Sequence, residues 1–495
     1  MSNIELLHTK RGFFVQKKIA QILEYLQDCH VDYADVRIVR TIEERIATEN
    51  LQVQQLETDH TYGYGIRVFV EGALGFASSQ DFDHMERTAA QAIEIAQASA
   101  MAQREPVVLS PKPVIIDRYA SPYQVDPFTV SKKDKIDLLF AAETKMREGG
   151  TLFRTTGFLR FSKEEKIFAD TEGSYIEQTI VESGGGIQAF AADQSGMQVR
   201  SYPNSSRGNY ATAGYEYIES LDFIKHAQET GREAAALLSA EVCPSGVYDL
   251  IIGGTQLYLQ IHESVGHPTE LDRVLGYEAG YAGTSFLNPE MINDFRYGSE
   301  HVNIVADATV PGGLGTFGYD DEGVPAQYTE LITKGIFQGF TTSRDTAPVI
   351  GQKSNGTARA VGWGRIPIVR MTNINLLPGE FTLEQLIEQV DDGLFLKTNK
   401  SWSIDDRRLN FQFATEIAYE IKEGKLTGKI YKNPIYSGIT PQFWNSCAGV
   451  ANRDYWVMYG TPNCGKGEPP QVAHVGHGCA PALFRQVKVG VEDVK

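Results

Sequence analysis

The sequence predicts an α+β protein, with an N-terminal half of duplicated helix, antiparallel-sheet and helix units and a C-terminal half that is mostly antiparallel β. Three observations carry this prediction. Helical periodicity and strand alternation follow one another twice in the same order before residue 243. From about Pro289 onward, Gly and Pro recur between short strand-like runs. With 495 residues, 42% of them hydrophobic and 22% charged, the chain can form two or three domains with sizeable cores. We divide it into an N-terminal domain over 1–243, with repeated units at 12–105 and 130–241, and a C-terminal domain over 244–495.

The first unit opens with "FVQKKIAQILEYLQDC", where Val15, Ile19, Ile22, Leu23 and Leu26 share one helical stripe. Strands are expected at "YADVRIVRTIEERIATEN", "LQVQQLETD" and "YGYGIRVFVEGALGFASS", which alternate with period two, and Asp81 is placed to cap the helix "DFDHMERTAAQAIEIAQASA". The second unit repeats this order. Its helix "SKKDKIDLLFAAETKMREGG" precedes "LFRTTGFLRFSKEEKIFADTEG", "SYIEQTIVESGGGIQAFAAD" and "SGMQVRSYPNSS", and "SLDFIKHAQETGREAAALLSA" closes it. The two units agree in pattern more than in identity.

After "CPSG", the run "VYDLIIGG" reads as a buried strand. Thr255 then caps the helix "QLYLQIHESVGH", and Pro268 stops it. Strands follow at "VNIVADAT", "AQYTELITKGIFQGFTTS" and "FQFATEIAYEIKEGKLTGKIYKNPIYSG", with hairpins at "ELITKGIFQGF" and "IKEGKLTGKI" and one helix at "TLEQLIEQVDDG".

Bulk properties exclude several classes of function. A formal charge of −17 repels phosphate backbones, so direct nucleic-acid binding is not expected. The loop "PGGLGTFGYDDEG" lacks the order of a phosphate loop. The N-terminal stretch scatters charges among its apolar residues, and no run is long enough for a bilayer, which predicts a cytoplasmic protein with no membrane partner. Five cysteines are odd in number and sparse for this length, so a disulfide framework is not expected.

The chemistry concentrates in "YLQIHESVGHPTELDR". In HExxH, two imidazoles one helical turn apart hold a metal and the Glu handles the water proton. Here the spacing is HExxxH, which on a regular helix sets His262 and His267 about 140° apart. A π turn, with about 4.4 residues, would bring an i+5 ring to where an i+4 ring normally lies. Gly266 has no Cβ to resist such a distortion. A catalytic zinc usually takes three protein ligands, and Cys464 in "GTPNCGKGEPPQ" is a candidate on a turn-rich loop, with Lys466 nearby to favour its thiolate. The same position also suits an ordinary loop cysteine. His474, His477 and Cys479 in "AHVGHGCAP" form a further group, open to reading as a second zinc site or as loop residues beside the first.

Taken in order, "HESVGH", "DDEGVPAQ", "VRMTN" and "NCGKGEPPQ", together with "YADVRIVRTIEERIATENLQVQQLE" and "YGYGIRVFVEGALGFASS", resemble the TldD/PmbA family of bacterial and archaeal peptidases over nearly the whole chain. That family pairs a catalytic subunit, TldD, with a paralogue, TldE or PmbA, that lacks the metal ligands. The resemblance is to the catalytic type. It implies one Zn2+ per chain held by His262, His267 and Cys464, with Glu263 as general base, and hydrolysis of unfolded or extended peptides. It also implies a homodimer or a heterodimer with a TldE/PmbA-like paralogue; the alternative is a non-catalytic partner or scaffold subunit of such a complex. With Cys464 assigned to the HExxxH metal, His474, His477 and Cys479 are expected to be loop residues near the site. Two stretches depart from the family pattern: "PTELDRVLGYEAGYAG", and the aromatic insertion "GITPQFWNSCAGVANRDYWVMYGTPN". For stabilising the oxyanion, His301, Tyr319 and Arg344 are available residue types, and spacing singles out none of them.

Overall fold

The computed structural model describes residues 3–490 apart from 195, 206 and 207, with side chains from residue 15 onward. The first helix, Asn3–Asp28, buries Val15, Ile19, Ile22 and Leu26, with Leu23 packed at the margin. It lies on a sheet whose first three strands are Tyr33–Glu49, Gln52–Val70 and Ala73–Ser79. The break expected near residue 60 is absent. Ile42 pairs with His60 and Thr41 with Thr61 in unbroken register, so one long strand carries both runs, and its polar stretch is polar because it faces solvent. Asp81 caps one step earlier than expected. Its side chain accepts from Asp83 N–H in a 3-10 turn, Phe82–His84, that leads into the helix Met85–Ala100.

The second unit repeats the first in length as well as in order. Strands Arg154–Asp170, Tyr175–Asp193 and Gly196–Tyr202 have 17, 19 and 7 residues, the same as the three strands before them. They lie between helices Lys132–Arg147, capped by Ser131, and Phe223–Ser239. Ser195 and Ser206, at the ends of the expected "SGMQVRSYPNSS" segment, fall outside the described residues. The units meet along their first strands, where Ile42 faces Lys163, each the tenth residue of its strand. The two halves of the sheet are therefore related by a local twofold axis through that pair. Helices cover one face of the sheet. The opposite face is polar, and with the C-terminal half it walls a cavity of about 960 Å³ lined in part by Glu43, Arg45, Arg160 and Glu164.

The C-terminal half is organised around a closed ring of strands. Asp392–Ile404, Gly246–Ile252, Ala482–Val489, Ile435–Ile439 and Asn410–Lys422 pair in that order, and the last pairs back onto the first. Closure leaves those strands no open hydrogen-bonding edge within the ring. Both expected hairpins form, and Leu383–Glu388 is a helix with a complete capping box at Thr382 and Gln385. A second short helix, Thr440–Asn445, was not expected. It begins the aromatic insertion and plugs the ring with Phe443 and Trp444, Phe443 stacking on Phe484 at 4.1 Å. After the helix, Cys447–Val450 pairs with the ring strand Ala482–Val489, and the end of the insertion, with the segment after it, forms a separate two-stranded ribbon, Val457–Lys466 and Gln471–Cys479.

Buried ion pairs join the two halves. Arg67 bridges Asp35 and Glu322 at 2.6 Å each, and Lys166 meets Asp321 at 2.7 Å. The "DDEG" turn is thus a staple onto the first sheet, and loss of one partner would leave a buried charge uncompensated.

Candidate metal centre

The strand Gly246–Ile252 delivers the chain into the helix Gly254–Ile261. Thr255 is not its cap. Gly253 takes that position, and the Thr255 hydroxyl instead accepts from Thr398 N–H at 2.9 Å, tying the helix to the ring. Gln256, Gln260 and Ser264 line one face of this segment, four residues apart. Gln256 donates to the Tyr436 hydroxyl (2.8 Å), which donates to Gln260 (2.9 Å), and the Ser264 hydroxyl accepts from Trp444 Nε1 (2.9 Å). A fully partnered polar ladder of this kind fixes rotation about the helix axis. The aromatic insertion therefore braces the motif from behind.

Beyond Ile261 the helix widens into a π turn, His262–Gly266, and His267 N–H donates to His262 C=O. That i to i−5 bond spans the two histidines of HExxxH. It places the His262 and His267 rings edge to face with centroids 4.9 Å apart. Gly266 contributes differently from expectation. Its φ of −56° and ψ of −64° are ordinary helical values, but a Cβ there would lie 2.1 Å from Met371 Sδ. Close approach, not backbone freedom, requires glycine.

Cys464 lies on a strand, not on the expected loop. It is in the ribbon, just past a register shift between Thr461 and Cys464 opposite Ala473, and such irregularities re-aim a side chain. Its Sγ is 3.8 Å from His267 Nε2. His262, His267 and Cys464 are all buried, and their ligating atoms lie within 4.8 Å of one another. Arg370 fixes the ribbon at this point by donating to the carbonyls of Cys464 (2.5 Å) and Gln471 (3.3 Å). Lys466, expected to favour the thiolate, turns away to Asp272 and the Val369 carbonyl, both at 2.6 Å. Burial alone would raise the Cys464 thiol, but His262, then Arg370 and His267, hold it well below its usual value. Burial also opposes charge on both imidazoles. Beside the thiolate, His262 is nonetheless raised, whereas His267 stays well below its usual value, pressed the same way by Arg408.

Each imidazole is oriented through its Nδ1. His267 Nδ1 meets Glu270 Oε2 at 2.8 Å, and His262 Nδ1 meets His477 Nε2 at 2.7 Å. Both Nε2 atoms are left for a common ligand, the arrangement that fixes tautomer and ring direction in metal sites. Two imidazole nitrogens and a thiolate form a donor set that suits zinc and leaves a coordination position for water. The residues therefore fit the metal.

The "AHVGHGCAP" group divides because it is a strand. Side chains alternate between faces, so His477 and Cys479 face the motif helix, while His474 points the other way to Glu182 at 2.6 Å. Among the described residues, His262, His267 and Cys464 are the one group of three or more metal-ligating side chains close enough to share an ion, and His474, His477 and Cys479 are not part of it. The oxyanion candidates are also elsewhere. His301 is exposed, Tyr319 bonds Asp117, and Arg344 is tied to Glu172 and the Ser110 carbonyl between the two halves. Glu263 is at the centre, buried beside His262, and accepts from Arg408 Nη1 at 2.7 Å. Sequence reasoning did not single out Glu270, Arg370 or Arg408. Glu270, three residues after His267, carried a helical-spacing signal, and Arg370 lies within the family stretch "VRMTN"; Arg408 carried none.

Fold and donor set together define a buried candidate metal centre on an α+β scaffold, and sequence comparison gives its family. Three family models match, described as PmbA/TldA metallopeptidase domain 1 over 34–96, central domain over 125–238 and C-terminal domain over 245–490. The chain belongs to the PmbA/TldD family of metallopeptidases. It is 29% identical to a metalloprotease of Methanocaldococcus jannaschii over 85% of this chain and 89% of that one. It is 24% identical to a metalloprotease TldD homolog of Haemophilus influenzae over 95% of each. TldE from Thermococcus kodakarensis has a similar fold, with a TM-score of 0.69 and 15% identity, over 96% of this chain and 100% of the other.

Proposed function

We propose that this protein is a zinc-dependent peptidase of the TldD type that cleaves unfolded or extended peptides, with His262, His267 and Cys464 as the zinc ligands and Glu263 as the general base. The observation that carries the reading is the convergence of both histidines, paired by the π turn, with Cys464 from the ribbon. Zinc held there supplies Lewis acidity toward water and the scissile carbonyl.

The side chains divide the remaining work. Glu263, buried next to a ligand, takes a proton from water as the water oxygen bonds to the carbonyl carbon. It then returns that proton to the amine as the C–N bond breaks. One peptide bond and one water become a carboxylate and an ammonium group, both protons of the water ending on the leaving nitrogen. His477 and Glu270 hold the two imidazoles in aim. The exposures of His262 (4%), Glu263 (6%), His267 (3%) and Cys464 (3%) support a substrate narrow enough to enter as a single extended chain.

The reading extends to assembly and location. A dimer, with a second copy or with a TldE/PmbA-like paralogue, would wall the site off from folded proteins, and the fold shared with TldE supports such pairing. No described helix is long and apolar enough to cross a membrane, and five free cysteines are consistent with the cytoplasm, where we place the protein.

Replacing the base separates chemistry from metal binding. Glu263→Gln should keep its zinc and lose peptide hydrolysis by about 10²-fold or more, read by elemental analysis beside turnover of an unstructured peptide. Near-normal turnover in the zinc-loaded variant would remove Glu263 from the mechanism.

A further inference from the structure

Arg408 meets Glu263 from a turn that holds it in an unusual conformation. The chain passes from the ring strand Asp392–Ile404 to Asn410–Lys422 through residues 405–409, and Arg408 has a φ of +63°. Non-glycine residues persist in that left-handed region only where their surroundings hold them, and such residues gather at functional sites. The surroundings here do so. Arg408 N–H donates to Asp405 C=O (2.9 Å), the Asp405 carboxylate accepts from the N–H groups of Leu409 (2.8 Å) and Asn410 (3.0 Å), and the Thr440 hydroxyl donates to Arg408 C=O (2.8 Å).

The side chain that this turn aims is only partly matched. It is 14% exposed, Nη1 donates to Glu263, and Nε is buried with no protein acceptor. A buried guanidinium N–H without a partner is costly and calls for an acceptor. The attacked carbonyl is one acceptor that the peptidase reading brings to Glu263.

We propose that Arg408 is a catalytic residue that donates to the oxygen of the attacked carbonyl as negative charge develops there, with Glu263 as its resting partner when no peptide is bound. This rests on the peptidase reading. A guanidinium is permanently charged and carries five donors in a fixed fork, so it can keep one N–H on Glu263 and offer another to the carbonyl oxygen. A donor fixed beforehand by the 405–410 turn needs no rearrangement to act.

The test compares zinc-loaded wild type, Arg408→Gln and Arg408→Lys, each first shown to melt normally and to hold its metal. One readout is kcat and KM on an unstructured peptide that the wild type cleaves. The other is calorimetric affinity for a phosphinic analogue of that peptide, whose tetrahedral phosphorus already carries the negative oxygen and requires no proton from water. Arg408→Gln should lower kcat by about 10²–10³-fold, the scale for loss of one oxyanion donor, with little change in KM. It should weaken the analogue by a similar factor, and Arg408→Lys should recover part of both losses. Unchanged turnover would overturn the inference, as would lost turnover with undiminished analogue binding, which would make Arg408 a positioning residue for Glu263 alone. A wild type that neither cleaves peptides nor binds the analogue would remove the peptidase reading and this inference together.

Discussion

The first sheet and the metal centre are built in opposite ways. In the sheet, two sets of strands repeat the lengths 17, 19 and 7, and a single register runs from Asp35 opposite Asp170 to Glu49 opposite Thr156. Among the pairings of these six strands, the one register shift lies between Ala47 and Thr48. At the candidate centre, the proposed ligands and Arg408 each sit at a departure from regularity: His262 and His267 at the two ends of the π-turn hydrogen bond, Cys464 beside a register shift, Arg408 at positive φ. Regular elements bury apolar faces efficiently but restrict which side chains can converge. Convergence of two imidazoles and a carboxylate, a thiolate and a guanidinium from three separate segments needs local irregularity, and the surrounding ring and ribbon hold that irregularity in place.

Substitutions can test whether the two regions are as separate as this contrast implies. The largest stability effect is expected in the regular half. Phe161 is fully buried in the second unit, and Phe161→Ala should cost ~3–5 kcal/mol without altering metal affinity of the folded protein. Urea unfolding paired with metal titration would check this; a parallel fall in metal affinity would show that the halves are coupled. A smaller effect is expected at Gly266→Ala, where the new methyl meets Met371 Sδ. Overpacking of this kind costs ~1–3 kcal/mol, and here it should also lower metal affinity, because the displaced segment carries His267. A variant as stable and as tight as the wild type would show that the turn accommodates a side chain after all. The smallest effect is expected at His477→Ala, which leaves the fold intact but frees His262 Nδ1. Metal affinity should fall ~10–100-fold, as for other outer-shell partners, read by competition with a chelator.

The same contrast explains what could be read from the sequence. Strand alternation and helical stripes announce a regular sheet, so the duplicated units were legible down to the Val15 to Leu26 stripe, as were two hairpins in the C-terminal half. HExxxH was legible as well, since an i+5 spacing makes sense only with a π turn, and its glycine was noticed, though for the wrong reason. Met371, which requires that glycine, is about a hundred residues further along the chain. Cys464 was misplaced on a loop because Pro462, Asn463 and Gly465 read as turn residues, whereas here they accompany a shifted strand. Alternation along Gln471–Cys479 was overlooked for the same reason, and with it the separate fates of His474 and His477. Arg408 carried no signal, because its role depends on a turn formed between strands that only the closed ring brings to Glu263.

The central claim is that the π turn gives His262, His267 and Cys464 one shared metal, and cobalt substitution tests it most directly. Cobalt(II) titrated into metal-free protein should bind at about one ion per chain with tetrahedral ligand-field bands and a near-ultraviolet thiolate-to-cobalt charge-transfer band. Cys464→Ser should abolish the charge-transfer band. Stoichiometric binding without that band in the wild type, or a band unchanged by Cys464→Ser, would contradict the account.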